Sequence, residues 1–278
     1  MEKITSSARF FDVEATLECG QIFRYERVDN GFYVHSGDKT CFAYNDGENA
    51  VIVTENGDKD YFYRFFDLDA DYGAYYAAAK KEGGILSQAA EAGKGIRILR
   101  QNEEETLFSF LVSQNNRIPR IKKILNGLCE SSGEKYLFCG KEQRAFPSAK
   151  SLAGKALSYF TRAGLGYRDR YVKAAADKIA AGYSLSALRS LDTLSLKKEL
   201  CSFDGVGEKV ADCIALFAFH RFDSFPVDTW IYKIYKEDYG GKETSRSKAA
   251  DYFLSRFRKN AGIFQQYLFQ YKRSGGKN

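Results

Sequence analysis

The 278-residue chain has only two histidines, His35 and His220, a scarcity that weighs against His-rich metal sites and most His-based nucleophile triads. None of its six cysteines (Cys19, Cys41, Cys129, Cys139, Cys201, Cys213) belongs to a CxxC pair. That argues against a disulfide framework and against a closely spaced metal or iron-sulfur site, so reduced thiols and no metal are expected. The chain has no run of about 18 apolar residues for a membrane span. Lys3, Arg9, Asp12 and Glu14 also interrupt the stretch where a secretory leader would be apolar. A soluble cytoplasmic protein with no membrane partner is therefore expected. Against these absences stand 44% hydrophobic and 15% aromatic residues, enough for one large core or two smaller ones. The formal charge of +6 favours an anionic partner without deciding one.

From Phe10 to about Phe66 the chain is rich in aromatic and β-branched residues, punctuated by Asp29-Asn30-Gly31, Ser36-Gly37-Asp38, Asn45-Asp46-Gly47 and Glu55-Asn56-Gly57. Such tripeptides are hairpin turns, and Gly31 to Ser36, Thr40 to Tyr44 and Ala50 to Thr54 fit strands of an antiparallel meander. After Asp69 the spacing becomes helical. Leu107, Phe110 and Leu111 share one helical face, and Ile121, Ile124, Leu125 and Leu128 another. The expected fold is α+β, with an N-terminal twisted antiparallel sheet domain over residues 1–92 and a mostly α-helical region over residues 93–278. The C-terminal stretch carries Arg256, Arg258, Lys259, Lys272, Arg273 and Lys277 against Asp251; composition leaves open whether they are solvated or face phosphate. The tail Ser274 to Asn278 is expected to fray.

The strongest local signal is Leu200-Cys201-Ser202-Phe203-Asp204-Gly205-Val206-Gly207-Glu208-Lys209-Val210-Ala211, set between two helical stretches. Two glycines bracketing an apolar residue permit a tight turn beside a helix N-terminus, where free amides can hold a phosphate. Gly-x-Gly alone fits a plain helix connection equally well; Gly-Val-Gly followed by Lys-Val-Ala favours a DNA-binding helix-hairpin-helix. Lys209 falls in the first turn of the second helix. There the helix dipole is expected to lower the amine pKa from about 10.4, leaving a nucleophile. The blander role for Lys209 is a phosphate contact. Asp228, in Pro226-Val227-Asp228, follows 19 residues later. It suits a helix N-cap, and a carboxylate so held can also stabilise cationic charge on an opening deoxyribose ring.

With these residues in place, Phe203 to Asp228 resembles the helix-hairpin-helix glycosylase superfamily, and in particular its 8-oxoguanine DNA glycosylase branch. The resemblance extends through Gly20-Gln21-Ile22-Phe23-Arg24, Ile96 to Gln101, Phe108-Ser109-Phe110, Ser113-Gln114-Asn115-Asn116 and Gly164-Leu165-Gly166-Tyr167-Arg168. It implies a bifunctional enzyme: Lys209 attacks C1′ of the damaged nucleotide and expels the base, and the Schiff base then permits β-elimination, with no cofactor. Asp228 would stabilise the sugar cation. The implied partner is double-stranded DNA containing oxidised guanine, bound by a monomer.

The resemblance further implies that the Gly20 carbonyl meets the N7–H that distinguishes 8-oxoguanine from guanine. Cys213 and Phe269 would sandwich the extruded base and Gln265 would read its Watson–Crick edge, although periodicity alone makes Cys213 and Phe269 core residues. Asn115 would fill the gap left by the base and Tyr167 would wedge beside the orphaned partner. Arg120 and Arg168 would bond to a cytosine opposite the lesion, while Gly205, Val206 and Gly207 would grip phosphate. Trp230 stands where animal members of the family have His, and Arg117 and Pro119 also depart from the Asn-rich segment. The short chain suggests a bacterial or archaeal form, acting on the nucleoid in the cytoplasm. Two alternatives are a related glycosylase for oxidised pyrimidines or mispaired adenine, against which stands the absence of any cysteine after Cys213, and a DNA-binding module without catalysis.

Overall fold

The computed structural model describes residues 1–276. Five antiparallel strands, β1 (Glu2–Ser7), β2 (Tyr25–Val28), β3 (Gly31–Ser36), β4 (Lys39–Asp46) and β5 (Asn49–Thr54), form one sheet in the order β1-β5-β4-β3-β2. The hairpin turns lie where the glycine-containing tripeptides place them: Gly37 and Gly47 take φ of +60° and +57° between paired strands. The meander is only part of the sheet. Its far edge is β1, which precedes it in sequence and pairs Glu2 with Thr54 through Ser7 with Asn49. Between β1 and β2 the chain makes α1 (Val13–Glu18), whose N-cap Asp12 accepts a bond from Ala15 N at 2.7 Å. The aromatic run Lys59–Phe65, read in sequence as part of the β region, is a helix, α2. Its Phe62 and Phe65 sit fully inside the core that covers the sheet, since aromatic residues pack as well from one helical face as from a strand.

The rest is mostly helical: α3 (Tyr72–Glu82), α4 (Gly84–Ala92), α5 (Glu103–Ser113), α6 (Ile118–Ser132), then a short hairpin of β6 (Lys135–Phe138) and β7 (Lys141–Arg144). There follow α7 (Ala149–Ala153), α8 (Leu157–Arg162), α9 (Asp169–Ala180), α10 (Thr193–Leu200), α11 (Glu208–Phe217), α12 (Thr229–Glu237), α13 (Arg246–Phe257) and α14 (Ala261–Arg273). The β6-β7 hairpin inside the helical region is absent from the sequence expectations, because its strands are only four residues each and alternate weakly. Two apolar clusters divide the molecule. The smaller gathers Ile4, Val34, Ile52, Phe62 and Phe66 with Leu99 under the sheet. The larger runs through α3 to α14, so Tyr72, Ala79, Leu86 and Ala89 of residues 72–92 share the helical core.

The two cores are bolted together by polar groups. Buried Asp67, at the end of the sheet domain, accepts from Tyr72 Oη at 2.9 Å and lies 3.1 Å from His220 Nε2, with Arg100 also bonded to it. These partners hold the Asp67 carboxyl below its usual pKa even though burial works in the opposite direction. Several C-terminal basic residues are tied to the protein: Arg256 to Glu82 at 2.7 Å and Lys272 to Glu237 at 2.9 Å. The last helix, α14, ends at Arg273, and Lys277 with Asn278 lies outside the described residues.

Candidate active site

α10 and α11 are the two arms of the hairpin. Its turn needs glycine at 205: φ is +82°, and a Cβ there would lie 2.4 Å from the Tyr171 ring. The Val206 side chain is turned into the helical core and its N–H is spent on Phe203 O at 3.0 Å, so its expected phosphate contact has no free amide. Gly207 is the N-cap of α11, and it carries no capping side chain. The amides of Gly207, Glu208, Lys209 and Val210 donate to no protein group among the described residues; this leaves the N-terminus of α11 open to an anion. The arms are braced by Lys197 on α10, whose Nζ lies 2.6 Å from the buried Asp212 carboxylate on α11.

Lys209 projects from the first turn of α11 with its Nζ 5.6 Å from the Phe110 ring centroid. It lines a cavity of about 80 Å³ with Gly20, Cys213, Asp228, Gln265 and Phe269. One correction concerns charge. The helix dipole is expected to lower the amine's pKa, and burial does work that way. The Cys213 sulfur and the Asp228 carboxylate beside the amine outweigh it, and the Lys209 pKa is raised. The resting amine is therefore an ammonium. Burial in turn pushes the Cys213 thiol up to about 11, against the pull of Lys209.

Asp228 is the N-cap of α12. Its Oδ1 accepts from Ile231 N at 2.8 Å, which fixes the carboxylate as the sequence reading expects. Burial raises its pKa, partly offset by the Ile231 amide and by Lys209. Gln265, 4% exposed, gives its amide N–H to Pro226 O at 3.1 Å while its Oε1 has no partner. An orphaned buried acceptor at a cavity wall is suited to a ligand's donor.

At about 80 Å³ the cavity falls below the roughly 300–1,000 Å³ of ordinary ligand pockets. Phe269 packs against its Gly20 wall, with Cε1 3.4 Å from where a Cβ on Gly20 would stand.

Outside the cavity, a groove of about 570 Å³ runs from Asn115 past Gly207 and Lys209 to Asp228 and Trp230. Asn115 stands at φ +47°, a left-handed conformation that Asn tolerates, and donates to Tyr167 Oη at 3.0 Å. Tyr167 is 45% exposed, and the exposed Arg120 reaches Gly164 O at 3.2 Å. Asn115 and Tyr167 are thus in contact, while Arg120 is anchored on the Gly164 turn. Arg168 is different: 5% exposed, it spends its guanidinium on the carbonyls of Gln114, Asn115 and Leu165. It braces the Asn115 turn, with little left to donate outward. Trp230 is 42% exposed on the same groove.

The sequence reading missed Phe110, Phe217 and Pro226 in the cavity wall and Arg246 in the groove. Phe110 had been assigned only to a helical face, and Arg246 carries no local signal. Among the described residues no cluster of His, Cys, Asp or Glu could hold a metal ion, and no helix is long and apolar enough to cross a membrane.

Two family models together cover most of the chain. Residues 3–107 match the model of the 8-oxoguanine DNA glycosylase N-terminal domain, and residues 108–259 match that of the HhH-GPD superfamily base excision DNA repair protein. A crystal structure of the Clostridium acetobutylicum 8-oxoguanine glycosylase/lyase, in complex with double-stranded DNA containing cytosine opposite 8-oxoguanine, superposes with a TM-score of 0.91. It shares 35% identity and covers 97% of this chain and 94% of that one. The N-glycosylase/DNA lyase OGG1 of Arabidopsis thaliana is 30% identical over 218 residues, 74% of this chain. The N-glycosylase/DNA lyase of Saccharomyces cerevisiae is 36% identical over 159 residues, 52% of this chain. The matched stretches span 60% and 42% of those two curated relatives.

Proposed function

The chain belongs to the HhH-GPD superfamily of base excision DNA repair proteins, with an N-terminal domain of the 8-oxoguanine DNA glycosylase kind, and from that premise we propose that it excises 8-oxoguanine from duplex DNA and nicks the strand. The observation that carries this reading is the single cavity in which Lys209 and Asp228 meet Gly20, Cys213, Gln265 and Phe269. An amine, a carboxylate and a base-sized set of apolar and hydrogen-bonding walls are what such a reaction requires.

Lys209 passes its proton to solvent as the complex forms, and its Nζ lone pair bonds to C1′. The bond from C1′ to the base nitrogen breaks, and its electron pair leaves with the base. Asp228, held by the Ile231 amide, stabilises the positive charge on the sugar as that bond lengthens. Loss of the ring C1′–O4′ bond gives an iminium on Lys209. Removal of a C2′ proton then expels the 3′ phosphate, and hydrolysis frees the lysine. The amides at the start of α11 hold a backbone phosphate beside this site. Asn115 fills the space vacated by the base, and Tyr167 wedges beside its orphaned partner. Arg120 faces the opposite base and favours cytosine, with Arg168 fixing the turn that carries Asn115 and offering at most its remaining donor. The protein works as a monomer on DNA in the cytoplasm.

The test is covalent trapping. Borohydride with duplex DNA bearing 8-oxoguanine opposite cytosine should yield a protein–DNA adduct, and Lys209→Gln should abolish it. An adduct that persists in Lys209→Gln assigns the nucleophile to another amine.

A further inference from the structure

The turn that brings Gly20 to the cavity is held from several sides. Gln266 on α14, 2% exposed, donates its Nε2 to Cys19 O at 2.7 Å. Two helical turns further along, Arg273 donates to Glu18 O. On the other flank Gln101 Nε2 donates to Gln21 O at 2.8 Å. The fully buried Gln21 side chain bonds to Thr16 O at 2.9 Å and Arg97 O at 2.7 Å, and accepts from Leu99 N at 2.8 Å. Three of the four carbonyls from Glu18 to Gln21 are thus occupied. The carbonyl of Gly20 accepts no hydrogen bond among the described residues, and Gly20 is the residue of the four with a positive φ, +85°.

We propose that Gln266 and Arg273 are positioning residues for base selectivity: from α14 they pin the two peptide units before Gly20, so that its carbonyl stays free and aimed at the N7–H of 8-oxoguanine. The inference rests on the reading that Gly20 is the lesion sensor. Its physical need comes from glycine itself. A residue with no Cβ rotates its flanking peptides at little cost, and a flip of the peptide after Gly20 would present the Gln21 N–H instead of a carbonyl. A donor there would pair with the N7 acceptor of intact guanine and invert the preference. Gln266 and Gln101 hold the peptides on either side of that unit, and Arg273 anchors the peptide before them, so together they oppose the flip. The same helix carries Gln265 and Phe269, so the elements that touch two edges of the base move together with the pin. Arg273 also lies 5.6 Å over the Phe269 ring, coupling that wall of the cavity to the same contact.

The experiment compares Gln266→Met and Arg273→Met with the parent protein in three measurements at one fixed salt concentration. These are single-turnover excision of 8-oxoguanine opposite cytosine, cleavage at a preformed abasic site in the same duplex, and the ratio of affinities for lesion and undamaged guanine duplexes. Loss of one positioned hydrogen bond should slow excision and lower the affinity ratio by about three- to tenfold. Cleavage at the abasic site, where no base is read, should hold. Equal loss of excision and abasic cleavage would reduce both residues to structural supports and overturn the proposal, as would parental values in all three measurements. A parent that itself fails to prefer the lesion over guanine overturns the Gly20 reading and this inference with it. Arg273 is half-exposed, so its variant keeps the test alive if Gln266→Met, which strips a buried partner, does not fold.

Discussion

Asp228 carries two duties that one pair of substitutions separates. As N-cap it accepts the Ile231 amide at 2.8 Å; as a half-buried carboxylate it supplies negative charge beside Lys209. Asn caps as well as Asp, whereas Ala forfeits about 1 kcal/mol. For a chain of this length that loss corresponds to a melting temperature lower by about 2–4 °C. The charge has the opposite sign of effect on stability. Burial raises the folded-state pKa of Asp228, so the folded protein binds its proton more readily than the unfolded chain. Stability contributed by this residue therefore falls as pH rises through its titration, and the cost is fully present at neutral pH. Asp228→Asn removes that cost and keeps the cap. Because Lys209 is the partner ion, the comparison is made in the Lys209→Gln background, where its attraction is already gone. There Asp228→Asn should melt higher than its parent at neutral pH, and the difference should vanish in acid, where the carboxyl is protonated in both states. Asp228→Ala should melt lower than Asp228→Asn at every pH. With Lys209 intact, both substitutions should slow excision by about 10²- to 10³-fold, the scale for loss of one positioned electrostatic group. Calorimetric melts across pH and single-turnover excision provide the readouts. If Asp228→Asn melts as low as Asp228→Ala, or excises at the parental rate, the separation of cap from charge is wrong.

Three further outcomes follow from the same geometry. Asp228→Asn removes a carboxylate charge that raises the Lys209 pKa, so the rise of Schiff-base trapping with pH on abasic DNA should move to lower pH; an unmoved or higher midpoint would count against the ammonium resting state. Gly20→Ala places a Cβ at φ +85° and 3.4 Å from Phe269, costing about 1–2 kcal/mol for the left-handed backbone. A drop in melting temperature with loss of 8-oxoguanine excision is expected, and wild-type excision would remove Gly20 from the base pocket. Arg120→Ala should flatten the preference for cytosine across the four opposing bases with little change in fold, whereas Arg168→Ala should also destabilise the protein, because its guanidinium braces three backbone carbonyls; equal melting of the two variants would contradict the bracing role.

What the sequence made legible is what lies close along the chain. Glycine-containing turns announced the hairpins of β3, β4 and β5, and the Gly-Val-Gly-Glu-Lys run announced the junction of α10 and α11. Asp228 was readable as a cap because its partner amide is three residues away. The illegible parts depend on residues far apart in number. β1 pairs with β5 across some fifty residues, and Gln266 meets Cys19 across a separation of 247. No periodicity encodes such a contact. Aromatic density in Lys59–Phe65 was ambiguous between strand and helix, and only packing against the sheet decided it.

The charge of Lys209 was misjudged for the same reason. A helix N-terminus is visible in the sequence, and it points to a lowered pKa. The enclosure that surrounds the amine with Cys213 and Asp228 is a tertiary fact, and it reverses the sign. That reversal and the small cavity belong together. If the proposed base site between Cys213 and Phe269 holds, an entering base must displace Phe269 from Gly20 and part Lys209 from the groups that raise its pKa. On that proposal, a base unable to bond to the Gly20 carbonyl lacks an interaction that would keep Phe269 displaced, and selectivity would act before chemistry.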